Sequence, residues 1–142
     1  MATWADFERD RPELAGLIRA RFEQGRDHVL ATLRADGSPR VSGIEIAFLD
    51  GEIQLGMMHG SRKLADIQRD PRVALHAATL TAAGTDGMPV DAKLSGQAEI
   101  YVDRIDEDHP DAAQLRIDLS HASYIQVDPD TGAMKVDTWQ GN

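Results

Sequence analysis

The chain has 142 residues and no cysteine, and its 24 Asp and Glu outnumber 15 Lys and Arg to give a net charge of −9. That length supports one domain over residues 1–142 that buries roughly two-thirds of its unfolded surface. The missing cysteines exclude a disulfide framework, a thiolate nucleophile and a Cys-type metal site. The acidity argues against non-specific nucleic-acid binding and against anionic membrane surfaces, which both need a basic face. No apolar run nears the length of a bilayer span and the N-terminus lacks a signal-peptide core, so a cytoplasmic protein is expected.

Residues 12–25 read as a helix: Pro12 suits a first turn, Leu14, Leu17, Ile18 and Phe22 share one face, and Gly25 is placed to end it. Residues 28–34 read as a strand, Asp36-Gly37 as a tight turn, and residues 40–48 as the returning strand. Gly43 in mid-strand suggests a bulge or a close approach of backbone to a ligand. A second turn at 49–52 leads into a strand over 53–57, and the three strands make an antiparallel meander. The meander feeds Gly60-Ser61-Arg62-Lys63 and an amphipathic helix that Pro71 stops. A strand over 72–78, a loop over 79–90 rich in Gly and Pro, and a long strand over 91–102 follow. In that strand Ala92, Leu94, Gly96, Ala98 and Ile100 face one way. Residues 103–111 read as an acidic linker, and 120–127 with 133–139 as a final hairpin. Six to eight short strands with regular turns predict a mainly β chain, a small antiparallel barrel with one terminal and one internal helix.

The chemistry concentrates where the internal helix starts. The Ser61 hydroxyl is placed to cap it, which leaves free backbone N–H groups, a positive dipole end and two cations, Arg62 and Lys63, close together. Such an arrangement favours a phosphate. Arg offers a planar fork to phosphate oxygens, and Lys adds a compact charge. Without an anion the same cations oppose the helix dipole. His59 stands beside them as a phosphate ligand or a merely structural histidine. The five histidines show no His-Glu-x-x-His spacing, and Asp106-Glu107-Asp108-His109 reads as solvated linker, so no metal is expected. Nor is there a Gly-x-Ser-x-Gly elbow. The lack of a nucleophile constellation suits a protein whose chemistry belongs to a cofactor.

Three groups of residues, in order, carry a resemblance: Leu30-Ala31-Thr32-Leu33 with Asp36-Gly37-Ser38-Pro39, then Gly60-Ser61-Arg62-Lys63 through Arg69-Asp70-Pro71-Arg72-Val73-Ala74-Leu75, then Gly96-Gln97-Ala98-Glu99. Together they resemble the pyridoxamine 5′-phosphate oxidase-like flavin-binding split barrels, over roughly residues 28–102. The resemblance implies a six-stranded antiparallel split barrel, spanning about 28–140, that acts as a homodimer with flavin mononucleotide (FMN) between subunits. It implies that Arg62 and Lys63, preceded by Ser61, hold the cofactor phosphate. Met57 and Met58 would lie along the flavin, with core packing as the alternative. Ser42 and Ile44 would line the ring, and Arg40 approximately keeps the place of a basic flavin-contacting residue.

The departures bear on the reaction. A Gln often found at the start of the fifth strand gives way to Asp91, with the candidate contact Lys93 two residues on. Trp139, also a candidate contact, is followed only by Gln140-Gly141-Asn142, without the family's C-terminal substrate-binding Arg and His. Vitamin B6 oxidation is therefore not expected. The chain is closer to short actinobacterial-type relatives that use either flavin or the deazaflavin coenzyme F-420. The expectation is a flavin-dependent oxidoreductase acting on a small molecule. The alternatives are a deazaflavin-dependent reductase, or a split barrel that binds flavin or haem without turnover, with Met58 or His59 as the haem ligand.

Overall fold

The computed structural model describes residues 2–80, 90–102 and 112–141. The loop read over 79–90 therefore falls largely outside the described residues. The acidic linker over 103–111, with its Asp106-Glu107-Asp108-His109 run, lies outside them entirely.

A first helix that the sequence reading lacks, α1 (Trp4–Asp10), opens the fold. Seven residues are too few for a periodic stripe. Its signal is a capping box, in which the Thr3 hydroxyl accepts from the Asp6 N–H (3.1 Å) and the Asp6 carboxylate accepts from the Thr3 N–H (2.8 Å). α2 (Pro12–Glu23) follows with proline in its first turn. Its inner face is Leu14, Ala15, Ile18 and Phe22, whereas Leu17, expected inside, is 47% exposed. Arg21 takes a place on the buried side because its guanidinium donates to the carbonyls of Ala78 (2.6 Å) and Val90 (3.0 Å).

Eight strands form one antiparallel sheet, where six are implied by the resemblance. They are β1 (His28–Leu33), β2 (Pro39–Ile44), β3 (Ile46–Leu49), β4 (Glu52–Met58), β5 (Arg72–His76), β6 (Val90–Val102), β7 (Ala112–Val127) and β8 (Met134–Gln140), with α3 (Arg62–Arg69) between β4 and β5. One departure raises the count above the seven strands read in the sequence, and a second lengthens a strand. The expected single strand over 40–48 breaks at Glu45, and β7 begins at Ala112, eight residues before the strand read from 120. The order is β2-β1-β5-β6-β7-β4-β3, with β8 on the second half of β7. The two ends of that order, β2 and β3, are consecutive in the chain and joined by Glu45 alone, so the sheet curls until its edges meet there. The result is a split barrel.

Inward residues at period two fill the barrel, among them Leu30, Leu55, Leu94, Leu115 and Ile117, each at most 2% exposed. α1 closes one side through Phe7, whose ring sits 4.7 Å from Trp139. α3 lies against β1 and β4.

His28, at the start of β1, is 3% exposed, and its Nδ1 accepts from the Ala78 N–H at 2.9 Å. Burial pushes its pKa down, with Arg21 adding to the effect. The unfolded chain binds a proton below about pH 6.5 that the folded chain refuses. Stability from this group is complete above that pH and is lost as pH falls. The urea midpoint is expected to drop between about pH 7 and 5.5, and His28→Gln should flatten that dependence.

Candidate functional site

β4 ends at Met58, and Gly60 turns the chain at a φ of +81° before Ser61. Only glycine adopts that angle freely. Ser61 is the N-cap of α3: its hydroxyl accepts from the Leu64 N–H (3.3 Å), and its own N–H donates to the Met58 carbonyl (3.1 Å). Arg62 is exposed and Lys63 half-buried at the helix start, with Lys63 Nζ donating to the Gly43 carbonyl across to β2 (3.3 Å).

The neighbouring carboxylates are committed elsewhere. Asp66, 1% exposed, accepts from Arg40 Nε and from the Thr32 hydroxyl, both at 2.7 Å, and lies 3.6 Å from Arg69. The Arg40 hydrogen bond holds its carboxyl below the usual range. Asp70 pairs with Arg72 at 2.7 Å, which lowers its pKa to about 2. Among the described residues eight arginines are paired with carboxylates, whereas neither Arg62 nor Lys63 has one within 4 Å. Two adjacent cations at a positive dipole end, with no carboxylate within 4 Å among the described residues, favour an anion there.

Lys63 also stands on the wall of a cleft of about 490 Å³ at the barrel seam. Gly43, Ile44 and Glu45 line it from the corner between β2 and β3, and Gly56 with Met58 from the outer face of β4. Ala112 and Gln114 complete the wall because β7 pairs with β4 there, Met58 opposite Ala112 and Gly56 opposite Gln114. A Cβ at Gly43 or Gly56 would meet nothing within 4 Å, so both leave open backbone toward a ligand. Asp27 adds a carboxylate to the wall, and that of Glu45 is held by Arg26 at 2.7 Å.

The candidate residues separate in space. Lys63, Ile44, Met57 and Met58 meet at the cleft. Strand alternation divides the two methionines: Met57 is 2% exposed and packs in the core, while Met58 is 59% exposed. Ser61 and Arg62 adjoin the cleft through Lys63, and His59 is exposed on the same turn. Ser42 is half-buried on β2 and does not line the cleft. Three of the expected residues lie apart from the cleft. Arg40 is tied to Asp66, Lys93 lines a different groove beside His76 and His121, and Trp139 is a core residue 8% exposed. The Trp139 Nε1 donates to Asp10 (3.4 Å). Asp27, Gly56, Ala112 and Gln114 escaped the sequence reading because only strand pairing and the curl of the sheet bring them together.

A family model described as pyridoxamine 5′-phosphate oxidase matches residues 14–139. The chain belongs to this family. Solved structures similar to this family member include General Stress Protein 26 from Bacillus anthracis, at 17% identity over 87% of this chain and 95% of that one, TM-score 0.62. An F420 reductase aligns at 16% identity over 72% of this chain and 92% of its own, TM-score 0.59. A haem-binding protein from Mycobacterium smegmatis aligns at 20% identity over 85% of this chain, TM-score 0.60, and the chain spans 57% of that protein's length. At these identities the likeness shows the split-barrel fold shared across the pyridoxamine 5′-phosphate oxidase family. Among curated proteins there is no match. Among the described residues of this family member, no helix is long and apolar enough to cross a membrane, and no group of three metal-ligating side chains occurs.

Proposed function

We propose that this chain is a flavin-dependent oxidoreductase that binds FMN in the seam cleft, its phosphate on Arg62, Lys63 and the Ser61-capped helix start. The observation that carries this reading is the pair of unpaired cations at the edge of the cleft on an acidic protein. The residues fit the group. A cleft of about 490 Å³ lies within the usual range for small-ligand sites. Open backbone at Gly43 and Gly56 leaves room for a planar ring, and Ile44 and Met58 give it apolar walls. A bound flavin supplies the hydride transfer. The chain's own residues anchor the phosphate, orient the ring and shield it from water.

A deazaflavin coenzyme is the second reading, favoured by the likeness to an F420 reductase and by the same cations, which suit its phosphate. Carboxylates at Asp27 and Glu45 oppose the acidic tail of that coenzyme, so FMN is the first choice. Titration of the purified protein with FMN, F-420 and haem, followed by absorbance, separates the readings. Tight haem binding with no affinity for either flavin would end both. Reduction and reoxidation with candidate acceptors then distinguishes an enzyme from a carrier.

The reading includes a homodimer. Val41 (71% exposed) and Val29 (41% exposed) stand with Ala31 and Ala74 on the outer face of β2, β1 and β5, along a groove of about 530 Å³. Small apolar residues on an uncovered sheet face suit a second copy of the chain. Val41→Glu would place a like charge on both sides of a twofold contact. The variant is expected to sediment as a monomer, and an unchanged dimer would remove this face from the assembly.

A further inference from the structure

α3 is eight residues long, too short to persist in water without tertiary contacts. Leu64 and Ile67 supply its buried apolar contacts, each 3% exposed, and one helical turn of apolar surface does little to fix the roll of a helix. Two polar ties to β2 add to them. Near the N-terminus, Lys63 Nζ donates to the Gly43 carbonyl at 3.3 Å. That contact is exposed, and it uses the same ammonium that the proposed phosphate would take. Deeper in, Asp66 accepts from Arg40 on β2 and from Thr32 on β1, both at 2.7 Å, with its side chain 2% exposed and that of Arg40 19%. On the helical wheel Asp66 and Leu64 flank Ile67 on opposite sides, and Arg62 lies one turn before Asp66 on the same face.

We propose that Asp66 is a positioning residue: its buried ties to Arg40 and Thr32 fix the roll and seating of α3, so that Arg62 and Lys63 stay aimed at the phosphate when Lys63 releases Gly43. Arg40, read from sequence as a cofactor contact, serves instead as the strand anchor of the clamp. The division of work is physical. A buried charge-assisted pair stays formed when a ligand arrives, because breaking it would leave a charge without solvent or partner. An exposed Lys-to-carbonyl bond exchanges freely.

This inference rests on the FMN reading, and its test compares FMN with riboflavin, which has the same ring and no phosphate. Loss of the fold weakens both ligands, whereas a misaimed clamp weakens FMN alone. Asp66→Asn is expected to reduce the preference for FMN over riboflavin about tenfold, as small displacements of positioned groups do. Riboflavin affinity should stay within about twofold. Thr32→Val removes one tie without leaving Arg40 unpaired, and it carries the test if Asp66→Asn fails to fold. Its preference should fall about threefold. A preference unchanged in the folded variant would overturn the positioning role alone, provided that Arg62→Ala/Lys63→Ala abolishes it. A wild-type protein with no preference for FMN would overturn both this role and the phosphate clamp.

Discussion

Replacing Arg62 and Lys63 together by alanine is expected to weaken FMN binding about 100-fold and to leave riboflavin binding within about twofold. A hydrogen bond to a charged group is worth roughly 1.5–3 kcal/mol, and partial exposure puts this site near the lower end, so two contacts total about 3 kcal/mol. At 1.4 kcal/mol per decade that is roughly two orders of magnitude in Kd. The loss should be specific, since neither side chain has a carboxylate partner to leave stranded. The Gly43 carbonyl released by Lys63 sits in an exposed contact that water can replace. Raising the salt concentration should mimic the double variant in part, because exposed charges are screened. Fluorescence titration with both ligands reads the difference directly. An equal loss for FMN and riboflavin would mean that the cations support the fold or the ring, and the phosphate assignment would fall.

Gly96→Ala is expected to destabilise the fold by about 3 kcal/mol or more, at the upper end of what overpacking usually costs. A Cβ there would fall on the Asp118 carbonyl oxygen, with the Asp118 carbonyl carbon at 2.9 Å and Leu119 Cα at 3.1 Å. These are backbone atoms of β7, and no rotamer change can move them aside. The close approach arises at a register shift: Ser95 pairs with His121 and Gly96 with Leu119, which leaves Ser120 as the extra residue of a bulge. The bulge also organises the chain around it. The Ser120 hydroxyl donates to the Ser95 carbonyl (3.1 Å), and the Leu119 N–H donates to the Ala2 carbonyl (2.7 Å). Urea unfolding of Gly96→Ala checks the prediction. A midpoint equal to wild type would show that β6 and β7 can separate there at little cost. Gly43→Ala, with open space around its Cβ, is the control for a glycine that the fold does not require.

The two glycines show why the site was only partly legible in the sequence. Both fall within strands of mixed polarity and look alike in a list of residues, but one meets a neighbouring backbone and the other faces a cleft. What distinguishes them is the partner strand, and pairing between distant segments leaves no local trace. The same holds for Asp66. Its charge reads as part of the solvated side of an amphipathic helix until β1 and β2 bring Thr32 and Arg40 beneath it. Arg40 was legible as a candidate cation, whereas its pairing with Asp66 was not.

Periodicity, turn residues and caps are local, and these the sequence determined by itself. Legible there were the α2 helix from Pro12, the turns that pair β1 with β2 and β3 with β4, the alternation of β6 and the Ser61 cap ahead of Arg62 and Lys63, whereas the expected three-strand meander splits at Glu45 into hairpins at opposite ends of the sheet order. The mainly β class followed from the same signals, as did membership of a family that the match to residues 14–139 shows. The tertiary structure alone decided which residues share the seam. The break at Glu45 lets the sheet edges meet, β7 brings Ala112 and Gln114 to the outer face of β4, and Asp66 and Asp70 take up Arg40, Arg69 and Arg72. Charge at the helix start was visible in the sequence. That it stands unpaired on the rim of a cleft is a property of long-range packing, because only the fold determines where each carboxylate finds its partner.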